Sequence, residues 1–224
     1  WVQSAEQQQA ANLFFDALCD LQQLLQVPEQ VISLNGSLAL TYGIGGQRGV
    51  CAHYQPQGRI LALAKNAGGG SLAHEWFHAF DHYIASKLFS TLAPANRFAS
   101  RCWLDGMVVR PHPLNDLLRQ AFQTLYLSDN GQDESAFFKQ CRSLDASRRQ
   151  LYLAMPEEMA ARAFENMLQR QSLKNSFLVS GTLQSQAAKL GVYPDEPLSV
   201  ALRQLWLPYF QALGQSLRLN AGSR

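Results

Sequence analysis

The stretch GGGSLAHEWFHAFDHY, residues 68–83, holds three of the chain's five histidines at four-residue intervals. On a helix, His74 and His78 share one face, about 6 Å apart along the axis. Two imidazoles so placed can grip one tetrahedral zinc ion. Glu75, roughly 100° further round, can then stand beside a water on that ion and act as general base. Helices also carry H-E-x-x-H as two half-buried histidines beside core residues, here Trp76 and Phe77. Context favours the metal: the motif follows a short apolar run and a glycine turn, and Ser71 suits the N-cap of a helix running to about Leu88.

His82 is not expected to be a third ligand. On a continuous helix it lies another ~6 Å beyond His78. Enzymes with a third histidine after the motif turn the chain back at a glycine, and Ala79, Phe80 and Asp81 intervene here. A surface or supporting role fits His82. Asp81, seven residues after His74, stays on the ligand stripe, where it either orients an imidazole or forms a salt bridge.

A zinc site with two histidines needs one more protein ligand and an open position. His53, near a strand end, and His112, between two prolines, read as structural or surface residues. PEEMAARAFENML, residues 156–168, is the better source. Glu157, Glu158 and Glu165 there share or border the side that carries Ala160, Ala161, Phe164 and Leu168. A carboxylate at a buried border needs a partner. Metal satisfies that need, and so do Arg162, four residues after Glu158, and the helix N-terminus.

The surrounding chain sets the frame. Its 224 residues suggest one large domain or two small ones, and such a chain needs no metal or disulfide merely to fold. It is 47% hydrophobic and 16% charged, with a mean hydropathy of −0.16. A net charge of +2 gives no electrostatic case for nucleic acid or an anionic membrane. Four widely spaced cysteines, Cys19, Cys51, Cys102 and Cys141, fit neither a zinc ribbon nor a disulfide scaffold and read as reduced core residues of a cytoplasmic protein. No apolar run approaches the ~20 residues of a membrane helix. Opening at Trp1 rather than methionine suggests a piece of something longer.

Helical spacing of Ala11, Phe14, Leu18, Leu21 and Leu25 before Pro28 gives a helix over residues 4–26. Residues 31–66 read as three or four short strands with Gly- and Pro-containing turns. The strand RILALAK (59–65) is a candidate to pair with an extended peptide. After the H-E-x-x-H helix (71–88), residues 94–215 read as mainly helical, with PLNDLLRQAFQTLYL, ESAFFKQCRSL, a helix opening at Pro156 and a last one kinked at Pro208. LSDNGQDES and GVYPDEP read as loops. The whole reads as a single α+β domain over 1–224: helix (1–28), small sheet, then a helical remainder.

AHYQPQGRILALAKNAGGGSLAHEWFHAFDHY (52–83), PEEMAARAFE and GTLQSQAAKLGVYP together resemble the CLCA_X family, related to the first of the large polyvalent protein-associated domains of phages and mobile elements. The resemblance spans roughly residues 30–215. It implies a zincin-like fold and a zinc-dependent peptide-bond hydrolase of bacterial, cytoplasmic origin, with one Zn2+ per chain and a protein or peptide substrate. In glutamate-type zincins a later helix carries E-x-x-A-N-x-F. Glu158, Ala161 and Phe164 follow that spacing, with Arg162 in place of asparagine, which favours Glu158 over Glu157 and Glu165 as third ligand. Metal at His74, His78 and Glu158 with Glu75 as the catalytic base is the resulting expectation. A non-catalytic accessory module of a mobile-element protein, with a structural or vestigial metal site, is the competing one. Tyr152, Tyr193 and His53 are possible oxyanion donors, and none is singled out.

Overall fold

The computed structural model describes residues 3–43, 52–64 and 70–222. A first helix, α1 (Ser4–Leu25), buries Ala10, Phe14, Ala17, Leu21 and Leu25 along one stripe. It ends where Gln26 turns left-handed at φ 56° and Pro28 follows. Residues 29–32 depart from expectation. The apolar pair Val31–Ile32 belongs to a single helical turn, α2 (Glu29–Ile32), and not to a strand. Pro28 opens that turn, and left-handed Leu34, Asn35 and Gly36 close it.

Three strands follow among the described residues: β1 (Ala39–Tyr42), β2 (Ala52–Gln55) and β3 (Ile60–Leu63). Their order is β1-β3-β2. β3 runs parallel to β1, with Ala39 opposite Ile60, and antiparallel to β2, with Tyr54 opposite Leu61. This corrects the expectation for RILALAK: its core, β3, is the central strand, hydrogen-bonded on both sides, and has no edge to offer a substrate. No fourth strand is present among the described residues; Cys51, residues 44–50 and most of the glycine turn before Ser71 lie outside them.

The motif helix, α3 (Leu72–Leu88), is buried on nearly every side. β2 and β3 pack against it, as do α4 (Ala99–Leu104) and α7 (Pro156–Gln169). Trp76 stacks on Phe80 and touches Phe164 and Phe210, and its indole N–H donates to Ile32 O at 2.9 Å. Phe77 lies against Phe164 and Trp206. Each such ring is worth roughly 1.5–3 kcal/mol of burial, so the helix that carries the histidines is pinned by its other faces. Ser71 occupies the N-cap, but its hydroxyl makes no cap bond and is buried without a partner. The start of α3 is instead held by residues 177–180: Gly70 N–H donates to Phe177 O, Ala73 N–H to Leu178 O, and Ser180 N–H to Gly70 O.

The remainder is largely helical: α5 (Pro113–Tyr126), α6 (Ala136–Arg148), α7, the single turn α8 (Gln186–Lys189) and α9 (Glu196–Gly222), which continues through Pro208. α4 and α8 were not expected. Both are short pieces that lie outside the helices picked out from the sequence. Among the cysteines, Cys102 and Cys141 are buried and free, whereas Cys19 is exposed on the outer side of α1, against the core reading. Trp206 and Tyr209 are core residues. No helix among the described residues is long and apolar enough to cross a membrane.

Candidate metal centre

α3 and α7 cross so that the histidine face of one meets the acidic face of the other. His74, His78 and Glu158 each turn a ligand atom to one point. The two Nε2 atoms are 3.0 Å apart. Glu158 Oε2 is 3.3 Å from His74 Nε2, and Glu158 Oε1 is 3.4 Å from His78 Nε2. A tetrahedral ion with bonds of ~2.0–2.2 Å holds its ligand atoms roughly 3.3 Å apart, so the spacing fits a metal. Protein groups alone satisfy the cluster only in part: the two Nε2 atoms can hydrogen-bond to one another, but the carboxylate is left short of a partner. Glu158 Oε2 and His78 Nδ1 are buried and make no hydrogen bond. Uncompensated polar atoms of this kind cost stability, and an ion bound to the carboxylate would offset the cost at Glu158 Oε2, while His78 Nδ1 lies on the far side of its ring from the cluster.

The charge balance points the same way. Burial pushes His74 toward the neutral form, but Glu165, Glu158 and Glu75 outweigh it and hold the imidazole up to about 10. Burial likewise raises Glu158, and His74 and His78 override it, holding the carboxyl well below the usual range. The cluster therefore calls for positive charge, which a proton on His74 supplies when no metal does.

The other candidates sort by contact. Glu165 accepts from His74 Nδ1 at 3.2 Å, which leaves Nε2 free to face Glu158. It orients a ligand and is not placed as one. Glu157 is taken by Arg101, with Nε and Nη2 at 3.3 and 3.4 Å from its two oxygens. Arg162 does not neutralise the Glu158 side chain. Its Nε donates to the Glu158 main-chain carbonyl at 3.2 Å, and its guanidinium turns to Val192 O and Leu153 O. Glu75 is buried at the site, where its charge acts on His74 and Tyr152.

His82 is off the cluster: its Nδ1 meets Tyr54 Oη at 2.7 Å. Asp81 does neither of the things expected of it. Its two oxygens accept the Ser100 N–H at 2.8 Å and the Ser100 hydroxyl at 2.5 Å, so it caps the start of α4. His112 caps α5, accepting from Leu114 N–H, and His53 pairs with Gln55. Sequence reasoning missed Asp145. This buried carboxylate on α6 accepts the N–H groups of Tyr152, Leu153 and Ala154 and shapes the loop that leads into α7. No local pattern signals it, because its partners lie seven to nine residues downstream in an irregular segment.

Comparison with known proteins bears on the acidic half of this site. A region like Large polyvalent protein-associated domain 1 is present at residues 144–217. That region holds Asp145, Glu158, Arg162 and Glu165 and stops short of α3. No curated protein matches the chain, and no solved structure does.

Proposed function

We propose that the chain is a zinc-dependent peptide-bond hydrolase of the glutamate zincin type. The observation that carries this reading is the 3.0–3.4 Å spacing of three ligand atoms from His74, His78 and Glu158. Those three residues would hold the ion, and Glu165 keeps His74 in the tautomer that presents Nε2. When bound, the metal supplies Lewis acidity, acidifying water and polarising a carbonyl. Glu75, beside the ligand pair, takes a proton from the attacking water and delivers it to the leaving amine nitrogen. An extended peptide would pair with β2. That strand packs on α3 and has its outer edge unpaired among the described residues, a part the sequence had given to 59–65. The likeness at 144–217 to Large polyvalent protein-associated domain 1 is in keeping with a mobile-element setting, and a bacterial source, zinc as the resident ion and a protein or peptide as substrate belong to the same proposal.

An accessory module that binds a partner and cuts nothing is the competing reading, and the confinement of the family likeness to residues 144–217 is what favours it. Glu75→Gln separates the two. Zinc-loaded wild type is expected to cleave a mixture of unstructured peptides, read by mass spectrometry. The variant should be slower by about 100-fold or more at unchanged zinc content. A wild type that binds zinc and cleaves nothing, or a variant that cleaves as fast, would favour the accessory module.

A further inference from the structure

His82 follows His78 by four residues, ~6 Å further along α3. The Phe98 ring lies against both imidazoles, at 5.6 and 5.9 Å between centroids. On the His82 side is a cavity of about 400 Å³. Its walls are the turn Pro56–Arg59, His82 with Ala85 and Ser86 of α3, and the loop Ala93–Arg97. Three of the lining side chains are bases, Arg59, His82 and Arg97, and none is an acid. With 19 Lys and Arg against 17 Asp and Glu, the chain has no general surplus of charge that would produce this.

Each base keeps donors to spare. Arg59 gives Nη1 to Ser37 Oγ at 3.0 Å and lies 5.5 Å over the Tyr83 ring, and no carboxylate among the described residues pairs with it. Its backbone is left-handed, at φ 50°, where glycine or asparagine sits at less cost, so an arginine is held there against local strain. Arg97 meets Asp105 at 3.6 Å with both side chains more than half exposed, a pairing that water screens and that is given up at little cost. His82 Nδ1 lies 2.7 Å from the Tyr54 hydroxyl. When Tyr54 donates, the ring carries its own proton on Nε2, which has no partner among the described residues. Burial and then the Arg59 charge press His82 below its ordinary value, and an anion in the cavity would offset the second effect.

We propose that this cavity binds a carboxylate of the peptide substrate, held between Arg59 and Arg97 with His82 beside them. That the guest is a substrate rests on the hydrolase reading given above; the charge of the cavity does not. β2 ends at Gln55, directly before the turn Pro56–Arg59, so an extended chain laid along its free edge is led to the cavity. The ~6 Å of axis between His78 and His82 matches about two residues of extended chain, which puts the acidic group about two or three residues from the bond that is cut. A planar guanidinium meets a carboxylate with two parallel hydrogen bonds, and two arginines on separate loops favour that group over a neutral one. The carboxylate is either an Asp or Glu side chain or the C-terminus of the peptide, since both offer the same two oxygens.

The test is binding of rhodamine-labelled octapeptides, read by fluorescence anisotropy on metal-free and zinc-loaded chain. One set carries a single Glu, at each position in turn, with an amidated C-terminus. A second has Gln in its place and a free C-terminus, and a third has Gln and the amide. Wild type is expected to bind the first set, the second or both about tenfold more tightly than the third, and the preferred set names the source of the carboxylate. Arg59→Gln and Arg97→Gln should each lose most of that preference at unchanged zinc content. Mass spectrometry of preferred peptides cut by zinc-loaded chain should place the cut at a fixed step from the carboxylate. A wild type that binds all three sets equally overturns the proposal and leaves the hydrolase reading standing. So does a preference that survives both substitutions, or cuts placed without regard to the carboxylate. Arg97 is exposed, so Arg97→Gln decides alone should Arg59→Gln fail to fold. A chain that prefers the acidic peptides through these arginines but binds no zinc keeps the carboxylate site and loses the hydrolase reading.

Discussion

His74 has a carboxylate at each ring nitrogen, Glu158 at Nε2 and Glu165 at Nδ1. That arrangement sets both its tautomer and its demand for a cation. Asp81, two turns further along α3, is the opposite case: a carboxyl whose environment disfavours charge. Burial drives it up, the two Ser100 hydrogen bonds and His78 pull it back, and the balance stands at about 7. The sign follows directly. Between the unfolded value near 4 and about 7, the native chain keeps a proton that the unfolded chain has lost, so stability falls as pH rises through that window and the loss is complete above it. Asp81→Asn keeps the geometry, with Oδ1 accepting the Ser100 N–H and Nδ2 donating to the Ser100 hydroxyl. Urea unfolding of metal-free protein should show the variant gaining on wild type between pH 5 and pH 8, by something on the order of a few kcal/mol at most. Equal pH slopes for the two proteins would refute this account of Asp81.

At the scale of elements, the site depends on how α3 is seated. Gly70 has φ +113°, and a Cβ there would stand 2.0 Å from Ser180 Oγ. Gly70→Ala should therefore loosen the junction with residues 177–180 and cost about 1–3 kcal/mol in unfolding free energy. An unchanged urea midpoint would mean the junction does not hold the helix. The long helices were legible beforehand because each has its own local signal: apolar spacing for α1, the motif and its flanking turn for α3, Pro156 at the first position of α7. Strand order was not legible. β3 sits between its partners because β1 pairs with it across a crossover, and no short-range pattern records which strand is central. Val31–Ile32 misread as strand for a related reason: two apolar residues fit either period, and the left-handed turn at 34–36 decided.

Across the whole molecule, the candidate site joins halves that are far apart in the chain. H-E-x-x-H was readable as chemistry within five residues. Glu158 was readable only through a resemblance, and spacing alone left Glu157 and Glu165 open. The fold separates them by what each touches: Arg101 holds Glu157, His74 Nδ1 holds Glu165, and Glu158 keeps both oxygens toward the histidines. The loop supports from Asp145 and Arg162 were invisible, because they join segments whose proximity only the fold creates. An ion bound to the native state alone also stabilises it by mass action, so zinc should raise the melting temperature and a chelator should reverse the gain. The measurement closest to the central claim is the zinc content of the purified, dialysed chain beside that of Glu158→Gln. About one zinc per chain is expected in wild type, with most of it lost in the folded variant. A wild type without zinc, or a Glu158→Gln variant that keeps it with undiminished affinity, would contradict the account.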